Sequence, residues 1–194
     1  GTVRRRGAAG DACVAELVDA HGPDRVRAGG AARHRASSDA SIFRGGAAGP
    51  VCFPTSTAEV RAIVRIAARH GRPVVPRGAG SGLTGGAAPL GVPIVVSTTR
   101  MNAVLEVDLD DLVAWVQPGV INLDLSKQVA DHGVHFAPDP SSQQVCTIGG
   151  NVANNAGGPH CLADGVTSAH VLAIEVVLSD GEVVMRGGLD AEPA

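Results

Sequence analysis

The residues of this chain best suited to chemistry are backbone amides rather than side chains. Arg77-Gly78-Ala79-Gly80-Ser81-Gly82-Leu83-Thr84-Gly85-Gly86 places five glycines in ten positions. With so few side chains in the way, successive N–H groups can converge into a nest that holds an anion. A pyrophosphate would suit such a nest, and the Arg77 guanidinium would add charge at its rim. Taken alone, the same ten residues read equally well as a flexible surface loop. A second segment shifts the balance. Residues 147 to 158 read Thr-Ile-Gly-Gly-Asn-Val-Ala-Asn-Asn-Ala-Gly-Gly, again small, now with asparagine amides that both donate and accept. Two such segments on one small domain point to an elongated ligand gripped at two places; the alternative is a pair of unrelated turns.

Gly80-Ser81-Gly82-Leu83-Thr84-Gly85 also fits the G-x-G-x-x-G pattern of dinucleotide sites. That fingerprint needs its loop to open a helix, with an acidic residue about 20 positions further on. Here only Ala87 to Val92 precede the next expected strand, with Pro89 and Gly91 inside the interval. A crossover helix needs about 10–12 residues. The first acidic residue after the loop is Glu106, 26 positions beyond Gly80. The dinucleotide reading therefore fails on spacing. A Walker-type phosphate loop fails too, because no Lys-Ser or Lys-Thr follows the glycines.

Side-chain chemistry is thin. The seven histidines (His21, His34, His70, His132, His135, His160 and His170) show no metal-ligand spacing. His160 follows the second small-residue segment and could face a ligand, but packing or surface exposure is the plainer reading. Cys13, Cys52, Cys146 and Cys161 form no C-x-x-C pair and read as reduced, small core residues.

The elements that must position these segments follow from periodicity. Val14, Leu17 and Val18 make a short helical face ended by Gly22-Pro23. Ser56-Thr57-Ala58-Glu59 is a capping box, and Val60, Ile63, Val64 and Ala67 then recur at helical spacing until Gly71. Residues 73–76 and 93–97 read as buried strands on either side of the glycine loop. Val104–Val107 and Val113–Val116 form a hairpin around an acidic turn, and a third strand pair flanks Ser179-Asp180-Gly181. Asn122 is expected to cap a helix running to Gly133. Helix and parallel strand come first and antiparallel hairpins later, so the fold class is α+β.

Length and composition bound the rest. The 194 residues, 44% apolar and 18% charged, suffice for one domain or two small lobes sharing a core. A net charge of −3 and an aromatic content of 2% argue against a nucleic-acid binder. Fifteen of the sixteen cations are Arg, and seven of these precede residue 36. Residues 1–45 are accordingly read as a solvated, arginine-rich lead-in and 46–194 as the domain. No apolar run reaches the roughly 18 residues of a membrane span. Asp11 and Glu16 interrupt any signal-peptide core after Arg4-Arg5-Arg6, so a cytoplasmic location is expected, with membrane association only through a partner.

Five stretches in order, residues 76–86, 116–120, 137–143, 146–158 and 174–182, resemble the PCMH-type (vanillyl-alcohol oxidase) flavin-binding domain of FAD-linked oxidases. Within it they look most like the glycolate oxidase D-subunit and D-lactate dehydrogenase group. The resemblance implies two α/β lobes, one with a small mostly parallel sheet and one mostly antiparallel, with FAD between them. It implies that Arg77, Gly78, Ala79, Gly80, Ser81 and Gly82 wrap the pyrophosphate. Pro138, Asp139, Ser142, Thr147, Gly149, Gly150, Asn151, Asn155 and Gly157 would line the flavin and ribityl side, and the Ile174 backbone the adenine end. Relatives that bind flavin covalently through this loop carry His where Ser81 stands, so non-covalent FAD is implied. Where the group usually shows a basic residue, Tyr and Gly, this chain has Ala163-Asp164-Gly165. The implied reaction is oxidation of a D-2-hydroxy acid, of the glycolate or D-lactate type, to the 2-oxo acid by hydride transfer to flavin N5. The group's substrate cap, with its histidines and metal ligands, has no counterpart in this sequence, so a C-terminally truncated flavoprotein is expected, and no residue is assigned as catalytic or as a metal ligand. An electron acceptor or companion subunit would complete the enzyme; the alternative is a non-catalytic flavin-binding subunit acting beside a separate catalytic chain.

Overall fold

The computed structural model describes residues 11–43 and 45–188. Arg4 to Arg6 of the expected lead-in, and Leu189 onward, lie outside the described residues. The chain begins with α1 (Ala12–His21), β1 (Val26–Arg27) and α2 (Gly30–Ala36). It continues through β2 (Val51–Cys52), α3 (Thr57–Arg69), β3 (Val74–Arg77) and β4 (Ile94–Ser97). Two hairpins follow, β5 (Val104–Asp108) with β6 (Val113–Val116), and β7 (Ala173–Val177) with β8 (Val183–Gly187). Between them run α4 (Asn122–Val129), α5 (Ile148–Asn154) and the single turn α6 (Cys161–Asp164).

The first lobe is a four-stranded sheet in the order β1-β2-β4-β3. Strands β2, β4 and β3 run parallel, and β1 adds an antiparallel edge. The strands β4 and β3 are short and β-branched, which suits a sheet covered on both faces. On one face Ile63, Ile66 and Ala67 of α3 pack with Cys13 and Leu17 of α1 against Val26, Cys52, Ile94 and Val96. On the other, Ala36 and Ala48 pack on Val51 and Val95. The stretch before residue 46, expected as a solvated lead-in, thus contributes Cys13, Leu17 and Val26 to the core. Its arginines divide. Arg25 pairs with Glu59 and Arg33 donates to the Ala48 carbonyl at 2.7 Å, while Arg27 and Arg35 are exposed.

The α+β expectation holds, and the antiparallel part is two separate two-stranded hairpins. A third core joins Val120, Leu125 and Ile148 beneath the β5–β6 hairpin. Gln117 donates to the Thr55 carbonyl, and Glu175 of β7 accepts from the Thr57 hydroxyl, so both hairpin regions meet the start of α3.

Two sequence expectations are corrected in detail. Ser56 does cap α3, accepting from the Glu59 N–H at 3.3 Å. The Glu59 carboxylate, however, reaches one residue further back, accepting from the Thr55 N–H at 2.8 Å, while its other oxygen pairs with Arg25. Asn122 is not a cap at all: Ile121 holds the cap position, and Asn122 is 1% exposed in the first turn of α4. Of the cysteines, all unpaired, Cys13, Cys52 and Cys146 are buried as expected, whereas Cys161 is exposed. Burial pushes the Cys52 thiol up to about 12, where it acts as a small apolar group.

Candidate functional site: a loop of open amides beside a helix of buried asparagine

The glycine loop leaves the carboxyl end of β3, between strands that run parallel. That end of a parallel sheet is where open α/β folds place ligands. No helix follows, in agreement with the rejection of a dinucleotide fingerprint. Gly80 has φ +75° and Gly85 φ +80°, left-handed conformations that turn the chain back on itself. The Gly80 carbonyl accepts from the Ala40 N–H at 3.0 Å, fixing the loop to the segment before β2. Among the described residues, no backbone N–H from Gly78 to Gly86 donates to a protein acceptor. Ala79, Leu83, Thr84 and Gly86 are exposed, where water can pair their amides; the half-buried amides of Gly78, Gly80, Ser81, Gly82 and Gly85 are donors that an anionic ligand would complete.

Arg77 stands at the base of the row. Its side chain is half-buried and donates to the Ser38 carbonyl at 2.8 Å. Burial holds the guanidinium below its usual basicity, and the nearby Asp39 carboxylate opposes that only in part. Among the described residues Arg77 makes no ion pair within 4.0 Å, so its charge is available to a ligand.

The second segment touches the first directly. A side chain at Gly78 would run into the Thr147 hydroxyl, and a Cβ added at Gly82 would stand 3.8 Å from the Asn154 side-chain amide. The Thr84 hydroxyl donates to Asn154 Oδ1 at 2.9 Å. Yet this segment is built differently. Thr147 caps α5 by accepting from the Gly150 N–H at 3.2 Å. The amides of Ile148 and Gly149 donate to the Val120 and Pro118 carbonyls at 2.8 and 2.9 Å. Its first turn is therefore fully paired. What it offers instead is Asn151, 2% exposed, whose Nδ2 has no partner. A buried amide donor without an acceptor costs about 1–3 kcal/mol, so its retention points to a ligand acceptor.

Pro138, Asp139 and Ser142 lie on the loop before α5; the structure ties Pro138 to α4 and Asp139 to the far end of the second glycine segment. Asn122 Nδ2 donates to the Pro138 carbonyl at 2.9 Å, the buried tie that takes the place of a cap. The Asp139 carboxylate meets the His160 ring at 2.6 Å, and Gly158 has no room for a side chain because Asp139 lies against it. That hydrogen bond holds the Asp139 carboxyl below its ordinary range and raises His160. The Ser142 carbonyl accepts from Val145 and Cys146, each at 2.8 Å. Asn155 is left-handed at φ +46° and ends α5, its Oδ1 accepting from the Ser168 N–H at 2.8 Å. Gly157 packs against Cys161 and Val166. Ile174 stands apart on β7, and among the described residues no hydrogen bond joins it to either glycine segment.

Sequence reasoning missed three participants: Asn122, read as a cap, and Thr84 with Asn154, which lock the two segments together. No periodicity signals a side chain that reaches across a fold. Among the described residues no cluster of three His, Cys, Asp or Glu could hold a metal, and no helix is long and apolar enough to cross a membrane.

A family model described as "FAD binding domain" matches residues 48–186, most of the chain. The chain belongs to that family. FAD is the cofactor the family is named for, and the open amides, the unpaired Arg77 and the orphaned Asn151 fit a group carrying a pyrophosphate and a polar ring. The chain is 39% identical over 173 residues to the glycolate oxidase subunit GlcD of Bacillus subtilis, covering 89% of this chain and 37% of that protein. It is 41% identical over 133 residues to a D-lactate dehydrogenase of Anaerostipes hadrus, covering 69% of this chain and 28% of that protein. It thus spans little more than a third of the length of these relatives at most. An alkyldihydroxyacetonephosphate synthase shares its fold, with a TM-score of 0.82 at 24% identity, over 94% of this chain and 35% of that one.

Proposed function

We propose that this chain is the FAD-binding portion of a flavoprotein oxidoreductase that converts a D-2-hydroxy acid, of the glycolate or D-lactate type, to the 2-oxo acid. The observation that carries the reading is the row of amides from Gly78 to Gly86 without a protein acceptor, with Arg77 at its base. In this reading Gly78, Ala79, Gly80, Ser81 and Gly82 hold the pyrophosphate. Pro138, Asp139, Ser142, Thr147, Gly149, Gly150, Asn151, Asn155 and Gly157 line the flavin and ribityl side, and the Ile174 backbone meets the adenine end. FAD, when bound, supplies a two-electron acceptor. The chain's own residues bind and orient it and pair its phosphates. The base that removes the hydroxyl proton belongs to a cap domain outside these residues.

The binding is non-covalent, since Arg77 to Gly86 contain no His, Cys or Tyr to attach a flavin. The relatives with "subunit" in their names support a companion chain in the working enzyme. The test is titration of the purified chain with FAD. Quenching of flavin fluorescence and a yellow protein after gel filtration are expected, with the flavin released on acid precipitation. Absence of quenching, or flavin retained in the precipitate, would sink the corresponding part.

A further inference from the structure

Two histidines follow the second glycine segment, and they are engaged differently. His170 is tied up: its Nε2 donates to the Asp164 carbonyl at 2.7 Å, and its ring stands edge-on to Phe136 with 6.2 Å between centroids. His160 is bonded through Nδ1, to the Asp139 carboxylate. Among the described residues its Nε2 makes no hydrogen bond, and its side chain is 71% exposed against 20% for that of Asp139. The carboxylate keeps a proton on Nδ1 and fixes the ring, which leaves Nε2 to face a ligand.

Asp139 and Gly157 both belong to the flavin side in the reading above. His160 joins them, bonded to the first and three positions after the second. Fixed cations are missing from this side. From Gln128 to Met185 the sequence holds no Lys or Arg, and α5 carries no charged side chain. The titratable groups around His160 are the Asp139 carboxylate, Asp164 at the end of α6 with His170 beyond it, and the neighbouring Cys161 thiol. Two carboxylates beside one imidazole favour its charged form. A hydride brings two electrons and one proton to an oxidised flavin and leaves the ring with one negative charge. Arg77 is committed to the phosphates, so on the flavin side the His160 imidazolium is the group that can answer that charge.

We propose that protonated His160, held in place by Asp139, is the positive charge that stabilises the reduced flavin ring and so raises the cofactor's reduction potential. The proposal deepens the cofactor reading and rests on it. Asp139 is the positioning residue.

The experiment is measurement of the two-electron potential of FAD on the full chain, by equilibration with a reference dye, from below to above the His160 midpoint. In H160Q the reduced form should lose about tenfold relative to the oxidised, a fall of about 30 mV for a two-electron couple. The gap between parent and H160Q should close as pH rises through the His160 midpoint, and in D139N it should close at a lower pH. H160K should restore the potential and keep it at the higher pH, which a packing role would not do. By reciprocity, NMR should place the His160 midpoint about one pH unit higher with reduced than with oxidised FAD bound. Thermal melting of each variant separates lost binding from lost folding. The proposal is refuted if folded H160Q binds FAD at the parent's potential, if H160K restores nothing, or if the His160 midpoint is blind to reduction. Should the parent chain fail to bind FAD, the cofactor reading falls and takes this one with it; with FAD bound and the potential unmoved, this one falls alone.

Discussion

The two glycine segments have nearly the same composition and do opposite things. From Gly78 to Gly86 the glycines keep the backbone bare and turned, and its amides stay open. From Thr147 to Gly158 they let the backbone pack: Gly149 against Pro118, Gly157 against Cys161, Gly158 against Asp139. One segment offers donors to a ligand. The other uses its donors internally and presents side chains. The same residue type therefore marks recognition in one place and close packing in another, and the fate of the amide decides which.

The sharpest way to break this contrast is to add a side chain to each segment. Gly80→Val blocks approach to the amides and collides with the Arg77 guanidinium. Losing two or three charge-assisted bonds should lower FAD affinity at least about a hundredfold, read by fluorescence quenching, with melting shifted by only a few degrees. Gly149→Val should act first on folding, before any ligand is bound. An added Cβ would stand 2.6 Å from Pro118 Cβ, beside Ile148 of the third core. Overpacking of this kind costs about 1–3 kcal/mol and should lower the melting temperature of the apo chain. If Gly149→Val left melting unchanged and abolished FAD binding, the two segments would share one role.

The contrast explains what could be read beforehand. The loop after β3, the strands around it and the helix opened by Ser56 were legible because turn chemistry, alternation and capping are local. So was the failure of the dinucleotide fingerprint, a matter of spacing alone. The pairing of amides was not legible, since the partners of Ile148 and Gly149 sit at Val120 and Pro118, far back in the chain. The contributions of Cys13, Leu17 and Val26 to the core were hidden by the arginines around them, because charge marks surface only where the side chain has no buried partner.

A finer test concerns Asn151. Asn151→Leu removes a buried donor that has no protein acceptor. Apo stability should hold or rise, while FAD affinity falls about tenfold, the worth of one hydrogen bond. A loss of stability without a loss of affinity would make Asn151 a packing residue.

The smallest effect belongs to the Asp139–His160 pair. Its His160 contribution is complete below the ordinary histidine value near 6.5 and fades as pH rises through the raised value. The Asp139 contribution is complete above the ordinary carboxyl value and fades as pH falls through the lowered one. An NMR titration should place the His160 midpoint above 6.5, and Asp139→Asn should bring it back down. A midpoint unmoved by Asp139→Asn would show that the tie between the two loops does not persist in solution.

Asn122 carries a last consequence, for how this chain tolerates change. At a true helix cap, Asn, Asp and Ser exchange at little cost, because each offers an oxygen to the first turn. At position 122 the side chain gives a proton to the Pro138 carbonyl from within the core, and Asp cannot do so when ionised. A comparison of related sequences that scored Asn122→Asp as harmless would misjudge it. The drift permitted at a helix start is closed here, because the residue holds a distant loop and not its own helix.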